Sequence, residues 1–263
     1  MTLAKDLSEG GIWKAMKVAS SDLETLQSEI TISQHIGHAC MRSGIQEPHF
    51  ISADAFVDCY MLPKADPKKP FTVRLFMDIG QRLEPEQIKA EYRSRTDEGK
   101  RDFMLSLANS LKAVHDLGIA HRDLKFDNVM MKGQDPVLID FGLAENGEAP
   151  ISLVGGSPRW MAPELINATE EAVSSVAGKP TDIFSLGLLL GGCHNLEHLL
   201  YSSNKLDILS KVRDGMVDDS ARFDEGSLKK LVATMIDRNP ENRPTIETVI
   251  ATLETMDAKY FSA

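Results

Sequence analysis

Eight consecutive residues, His121-Arg122-Asp123-Leu124-Lys125-Phe126-Asp127-Asn128, constrain this chain more than any other stretch. Twelve residues further on comes Asp140-Phe141-Gly142. Alone, His-Arg-Asp is a weak signal, and Asp-Phe-Gly fits an ordinary strand-to-turn tripeptide. Here both occur in order, with Lys125 and Asn128 between them and a strand-like run, Pro136-Val137-Leu138-Ile139, leading into Asp140. The residue types describe a site. Asp123 can accept a hydrogen bond from a hydroxyl and take its proton late. Lys125 puts a cation two residues on. Asn128 and Asp140 supply hard oxygen donors of the kind Mg²⁺ prefers.

Size and composition set the frame for that site. A chain of 263 residues is long enough for a two-lobed domain. It is 42% apolar and 26% charged, as ordinary soluble proteins are. A net charge of −10 argues against non-specific nucleic-acid binding. It could favour basic protein substrates, or serve solubility alone. No apolar run approaches the ~20 residues a membrane helix needs, and the N-terminus has no signal-peptide pattern. The three cysteines, Cys40, Cys59 and Cys193, are scattered. They suggest neither a disulfide framework nor zinc spacing, and a cytoplasmic, reducing compartment is expected.

The two central pieces resemble the catalytic loop and metal-binding turn of protein kinases. In such enzymes catalysis is largely alignment of a hydroxyl and neutralisation of charge on the moving phosphoryl group. The resemblance implies that Asp123 is the base, that Lys125 stabilises the γ-phosphate, and that Asn128 and Asp140 hold Mg²⁺ beside ATP. It runs from about Lys14 to Thr255. In the first lobe, Ala15-Met16-Lys17-Val18 resembles the strand whose lysine grips the α- and β-phosphates, preceded by a hairpin turn at Glu9-Gly10-Gly11. Ser21-Asp22-Leu23-Glu24 is a capping box that opens a helix. On that helix Glu29 best matches the glutamate that pairs with the lysine; read by itself it is a solvated face residue. Phe50 to Met61 and Phe71 to Met77 read as strands. Met77-Asp78-Ile79 then resembles the hinge that holds adenine, with Met77 at the gate or simply in the core.

Two features depart from the family pattern. Counting back from Lys17, the chain is expected to begin after the Gly-rich loop, near Thr2: either the first lobe is reduced or the chain is a fragment of something longer. Ser33, one helical turn past Glu29, stands where the family usually has a larger apolar residue.

In the second lobe, Glu86–Tyr92 and Gly99–Leu117 read as helices, the latter closed by Gly118. Val129-Met130-Met131 would be a short strand, with Met130 packed below the adenine. Gly155-Gly156-Ser157-Pro158-Arg159-Trp160-Met161-Ala162-Pro163-Glu164 resembles the substrate-positioning loop of serine/threonine kinases. Lys125, and Ser157 placed to bridge Asp123 and Lys125, favour Ser/Thr over Tyr as acceptor. Arg122 would pair with a phosphate on the activation segment. Ser152 is either that phosphosite or an ordinary loop serine, and Glu145 or Glu148 could supply the negative charge instead. Thr181-Asp182 opens an apolar helix, with Asp182 anchoring the catalytic loop or capping the helix. Arg243 would pair with Glu164. A last helix follows Thr245. His194 and His198 stand four apart, which is compatible with zinc on a helix, with substrate docking, or with plain surface.

The fold expected is therefore α+β: a single bilobal kinase domain, with a small β-rich lobe over residues 1–79 and a larger helical lobe over 80–263. The function expected is ATP- and Mg²⁺-dependent transfer to protein Ser/Thr hydroxyls. The partner is then a protein substrate, with no nucleic acid and no membrane. The alternative is a silent scaffold of the same fold. Its economy of length also resembles compact kinases that bacteria deliver into host cytoplasm.

Overall fold

The computed structural model describes residues 2–6, 12–19, 53–54, 73–77, 83–147, 155–166, 178–196 and 223–262. Glu29, Asp78, Ile79, Ser152, Ser33, Glu148 and His198, with the helix expected after Ser21, lie outside them.

Four strands form one antiparallel sheet: β1 (Thr2–Asp6), β2 (Ile12–Ala19), β3 (Ala53–Asp54) and β4 (Val73–Met77), in the order β1-β2-β4-β3. β-Branched and aromatic residues suit β2 and β4 to a pleated surface. The register sets Lys17 opposite Leu75, and Ala15 opposite Met77. Of the strand expected over Phe50–Met61, only Ala53–Asp54 falls within the described residues.

The rest is mainly helical. α1 (Pro85–Arg93) starts on a proline, whose missing N–H costs nothing at a helix start. The Gln87 side chain accepts a 2.8 Å bond from the Glu84 amide just before it. α2 (Asp97–Asp116) is capped by Thr96, whose hydroxyl accepts from the Gly99 amide, so this helix begins earlier than its apolar spacing suggests. Its apolar stripe, Phe103, Met104, Leu107, Ala108, Leu111 and Val114, is fully buried. Each Leu or Phe so buried is worth roughly 1.5–3 kcal/mol. Gly118 follows with φ of 73°, a left-handed turn that glycine adopts without strain.

Two short antiparallel pairings then frame the stretch His121–Asn128. β5 (Ile119–Ala120) pairs with β8 (Glu145–Asn146), and β6 (Val129–Lys132) pairs with β7 (Asp135–Leu138). After a single turn of helix, α3 (Pro163–Ile166), comes α4 (Gly178–Cys193), which is buried on nearly every side. The helix already includes Gly178 to Pro180, so Thr181 does not open it. A proline is tolerated in a first helical turn, and Gly-Lys-Pro is no breaker here. α5 (Leu228–Met235) and α6 (Ile246–Thr255) complete the core with α1, α2 and α4. Thr245 caps α6.

A bidentate ion pair ties α3 to the segment before α6. Arg243 donates to both Glu164 oxygens, at 2.6 and 2.8 Å, and also to the carbonyls of Pro180 and Asp237. Removing one partner of such a buried pair costs about 3–5 kcal/mol.

His194, at the end of α4, is buried and shares a 2.8 Å hydrogen bond with the Tyr92 hydroxyl from α1. Its Nδ1 is thus committed to packing the lobe. Among the described residues no group of three or more His, Cys, Asp or Glu is arranged to hold a metal ion. Burial first, then Lys100 and Lys229, pushes its imidazole down to about 4. The unfolded chain, with a histidine near ~6.5, takes up that proton earlier. Stability is therefore full above about pH 6.5 and falls as pH drops toward 4, by up to ~1.4 kcal/mol per pH unit. Between about pH 7.5 and 5, wild type should lose up to ~2 kcal/mol more in urea unfolding than His194→Gln. Equal losses would remove this role.

Candidate active site

Asp182 of α4 builds the site from beneath. Its carboxylate is buried and accepts from the backbone amides of His121 (2.7 Å) and Arg122 (2.8 Å), and from His115 Nε2 of α2 (3.0 Å). These bonds go to the loop 60 residues away in sequence, so the side chain is an anchor and does not cap its own helix. Arg122 sits at φ of 67°, a left-handed conformation that costs a non-glycine residue energy. Two bonds to one buried carboxylate hold it there.

His121 ties the same loop to the Asp140 turn. Its Nε2 can only donate to the carbonyl of Ile139 (3.1 Å), so Nδ1 is left to accept from the Asp123 amide (3.4 Å). Burial keeps this imidazole below the ordinary histidine range, which suits a neutral ring with those two roles. The ring also packs on Phe141, with centroids 5.0 Å apart. Spacing in the sequence carries no sign of either histidine's partner.

Asp123 is then presented by its surroundings. Oδ1 accepts from the Ser157 amide and hydroxyl, each at 3.1 Å. Oδ2 accepts from Lys125 Nζ at 2.6 Å and Asn128 Nδ2 at 3.0 Å. Lys125 also donates to the Ser157 hydroxyl (2.9 Å), which closes a triangle of Asp123, Lys125 and Ser157. Asn128 donates a second bond to the Asp123 carbonyl (2.8 Å). With its nitrogen so used, its carboxamide oxygen is left as an acceptor.

The β6–β7 hairpin sets Asn128 and Asp140 near each other. Val129 pairs with Leu138, and the Ile139 amide donates to the Asn128 carbonyl (2.9 Å). Asp140 is exposed and at φ of 67°, with its carboxylate accepting from the Gly142 amide (3.3 Å). Two hard oxygens fit a Mg²⁺ ion, which takes most of its ligands from water and phosphate. Met130 is buried with Val137 and Ile139.

The segment Gly155–Ala162 packs beside the loop. The Ser185 hydroxyl of α4 donates to the Trp160 carbonyl (2.6 Å), and the Trp160 ring meets Phe126 edge-on at 5.4 Å. Arg122 pairs with Glu145 of β8. Gly156, at φ of 111°, passes so close that a Cβ there would stand 2.8 Å from the Arg122 carbonyl oxygen. Strain and overlap together predict that Gly156→Ala loses about 1–3 kcal/mol in urea unfolding. An unchanged midpoint would contradict this close approach.

The family model described as "Protein kinase domain" matches residues 13–253. Serine/threonine-protein kinase ppk34 of Schizosaccharomyces pombe is 32% identical over 147 residues, covering 55% of this chain and 40% of that protein. Interferon-induced, double-stranded RNA-activated protein kinase of Rattus norvegicus is 31% identical over 171 residues, 62% of this chain and 31% of its own length. Serine/threonine-protein kinase PSK2 of Saccharomyces cerevisiae is 33% identical over 144 residues, 53% of this chain and 12% of its own. The match spans about half or less of each of these curated relatives. A family match over nearly the whole chain, on a fold with a small antiparallel sheet and a large helical lobe, means that this chain belongs to the protein kinase domain family.

Proposed function

We propose that the chain is a serine/threonine protein kinase that transfers the γ-phosphate of ATP to protein Ser/Thr hydroxyls. The observation that carries this reading is the set of four hydrogen bonds on Asp123, from Ser157, Lys125 and Asn128. Those bonds orient a carboxylate that is still partly exposed, at 13% of its side chain. An incoming hydroxyl would donate to Asp123 and lose its proton there as the bond to phosphorus forms. Lys125, now shared between Asp123 and Ser157, is the cation nearest the acceptor and would turn to the phosphoryl oxygens.

Asn128 and Asp140 would hold Mg²⁺, which when bound neutralises charge on the phosphates. For the nucleotide, the proposal assigns Lys17 and Glu29 to the phosphates. It assigns Ala15, Met77, Asp78, Ile79 and Met130 to the adenine. The substrate segment would rest on the loop that carries Ser157 and closes at Glu164, which Arg243 holds in place.

The test is transfer of labelled γ-phosphate from ATP·Mg²⁺ to a generic basic protein and to the chain itself. Asp123→Asn should lower kcat about 10³-fold or more, with the thermal midpoint nearly unchanged. Asp140→Asn should weaken the dependence on Mg²⁺ and lower the rate. A fully active Asp123→Asn would remove the base assignment. A folded wild type with no transfer would favour a binding scaffold.

A further inference from the structure

An open cavity of about 310 Å³ lies on the helical lobe. Its walls are His194 at the end of α4, Ser227, Leu228 and Lys229 at the start of α5, and Lys259 and Tyr260 of a 3₁₀ turn, Ala258–Phe261. That is the size of a small-ligand site. Two bonds fix the last wall to the start of α2. Lys100 Nζ donates to the Phe261 carbonyl (3.0 Å), and the Ser262 hydroxyl donates to Asp97 (2.6 Å). The cavity is lined by donors without acceptors. His194 is 8% exposed, and burial keeps the Tyr92 hydroxyl protonated. Among the described residues that hydroxyl has one acceptor, His194 Nδ1. Tyr92 therefore donates, Nδ1 accepts, and the ring proton sits on Nε2, which has no partner among the described residues. Ser227 is 7% exposed. Its oxygen caps α5 by accepting from the Lys230 amide (3.2 Å), which leaves the hydroxyl proton to give. The Leu228 and Lys229 amides, in the first turn of α5, have no acceptor among the described residues. The exposed Lys229 ammonium makes no ion pair with a described residue.

We infer that this cavity binds the oxyanion of a small metabolite, a phosphomonoester or a carboxylate, held by His194 Nε2–H, the Ser227 hydroxyl, the Leu228 and Lys229 amides and the Lys229 ammonium. The chemistry is one-sided. Each of these groups donates, and a helix N-terminus adds partial positive charge. A cation would meet no acceptor among them. A purely apolar ligand would strand buried donors. Lys259 is already paired with Asp257 (3.1 Å), so Lys229 supplies the charge. Asp224, the carboxylate among the described lining residues, is exposed and would accept from a hydroxyl or amine on the body of the ligand. None of these residues is among those assigned to phosphoryl transfer, so the inference does not depend on the kinase reading.

The probes are glycerol 3-phosphate and glycerate, which differ in the anion they carry. Each is titrated into the whole chain at about pH 7.5 and about 0.15 M salt. The backbone amide signals of Leu228 and Lys229 should shift, with saturation at a Kd of about 1 mM or tighter for at least one probe. Saturation by one probe alone names the anion. Ser227→Asp keeps a capping oxygen for the Lys230 amide and sets a like charge in the cavity wall, so it should weaken binding about tenfold or more. Lys229→Gln, at an exposed position, should weaken it about threefold to tenfold. No saturable binding of either probe below about 10 mM would overturn the inference. So would binding that leaves the Leu228 and Lys229 signals in place, or that Ser227→Asp does not change. If Ser227→Asp fails to fold, unchanged binding in Lys229→Gln overturns it.

Discussion

A single buried carboxylate, Asp182, takes two consecutive backbone amides of the His121–Asn128 loop, and the loop's shape depends on it. Such a bond from amide to anion is stronger than a neutral one, and in a dry site it is little weakened by water. It offsets the left-handed backbone at Arg122, which by itself would relax. Asp182 can act this way because α4 is rigid: the helix is buried nearly all round by α1, α2 and α5. A precise site is thus built on an immobile core element, and the strain is stored where packing over-determines it.

Buried polar groups recur along the same axis, each with a named partner. His115 meets Asp182, His121 meets Ile139 and Asp123, Tyr92 meets His194, and Arg243 meets Glu164. These contacts add modest stability, since desolvation offsets much of what each bond contributes. They contribute specificity: each is costly to leave unmade, so slipped arrangements of loop and helix are disfavoured.

The gathering of Asp123, Lys125 and Asn128 was legible because these residues are near neighbours in the chain. Asp123, Lys125 and Asn128 lie in six residues, and their bonds follow from one tight turn. Ser157, about thirty residues on, was legible through its own local motif. The strands β2 and β4, and the helices α1, α2 and α6, follow from alternation and apolar stripes. What the sequence hid depends on folding distance. His115, His121, Tyr92 and His194 find partners from close by to about a hundred residues away, and no local pattern names them. The His194–His198 spacing left metal, substrate docking and plain surface open, whereas His194 is buried and bonded to Tyr92. The start expected for α4 failed because Gly178-Lys179-Pro180 reads as a turn until the buried environment makes it helical. Glu145 was readable only as one of two candidate acids, with Glu148, until β5 and β8 paired.

Asp182 holds the loop and thereby aims Asp123. The most direct measurement is amide hydrogen exchange at His121 and Arg122 in wild type and in Asp182→Asn, which swaps one acceptor oxygen for an amide nitrogen. These two amides should exchange about tenfold faster or more in the variant. Amides of α6 should keep their protection, and kcat should fall with the loop's order. Unchanged protection at His121 and Arg122 would contradict it, because the loop would then owe its shape to something other than this carboxylate.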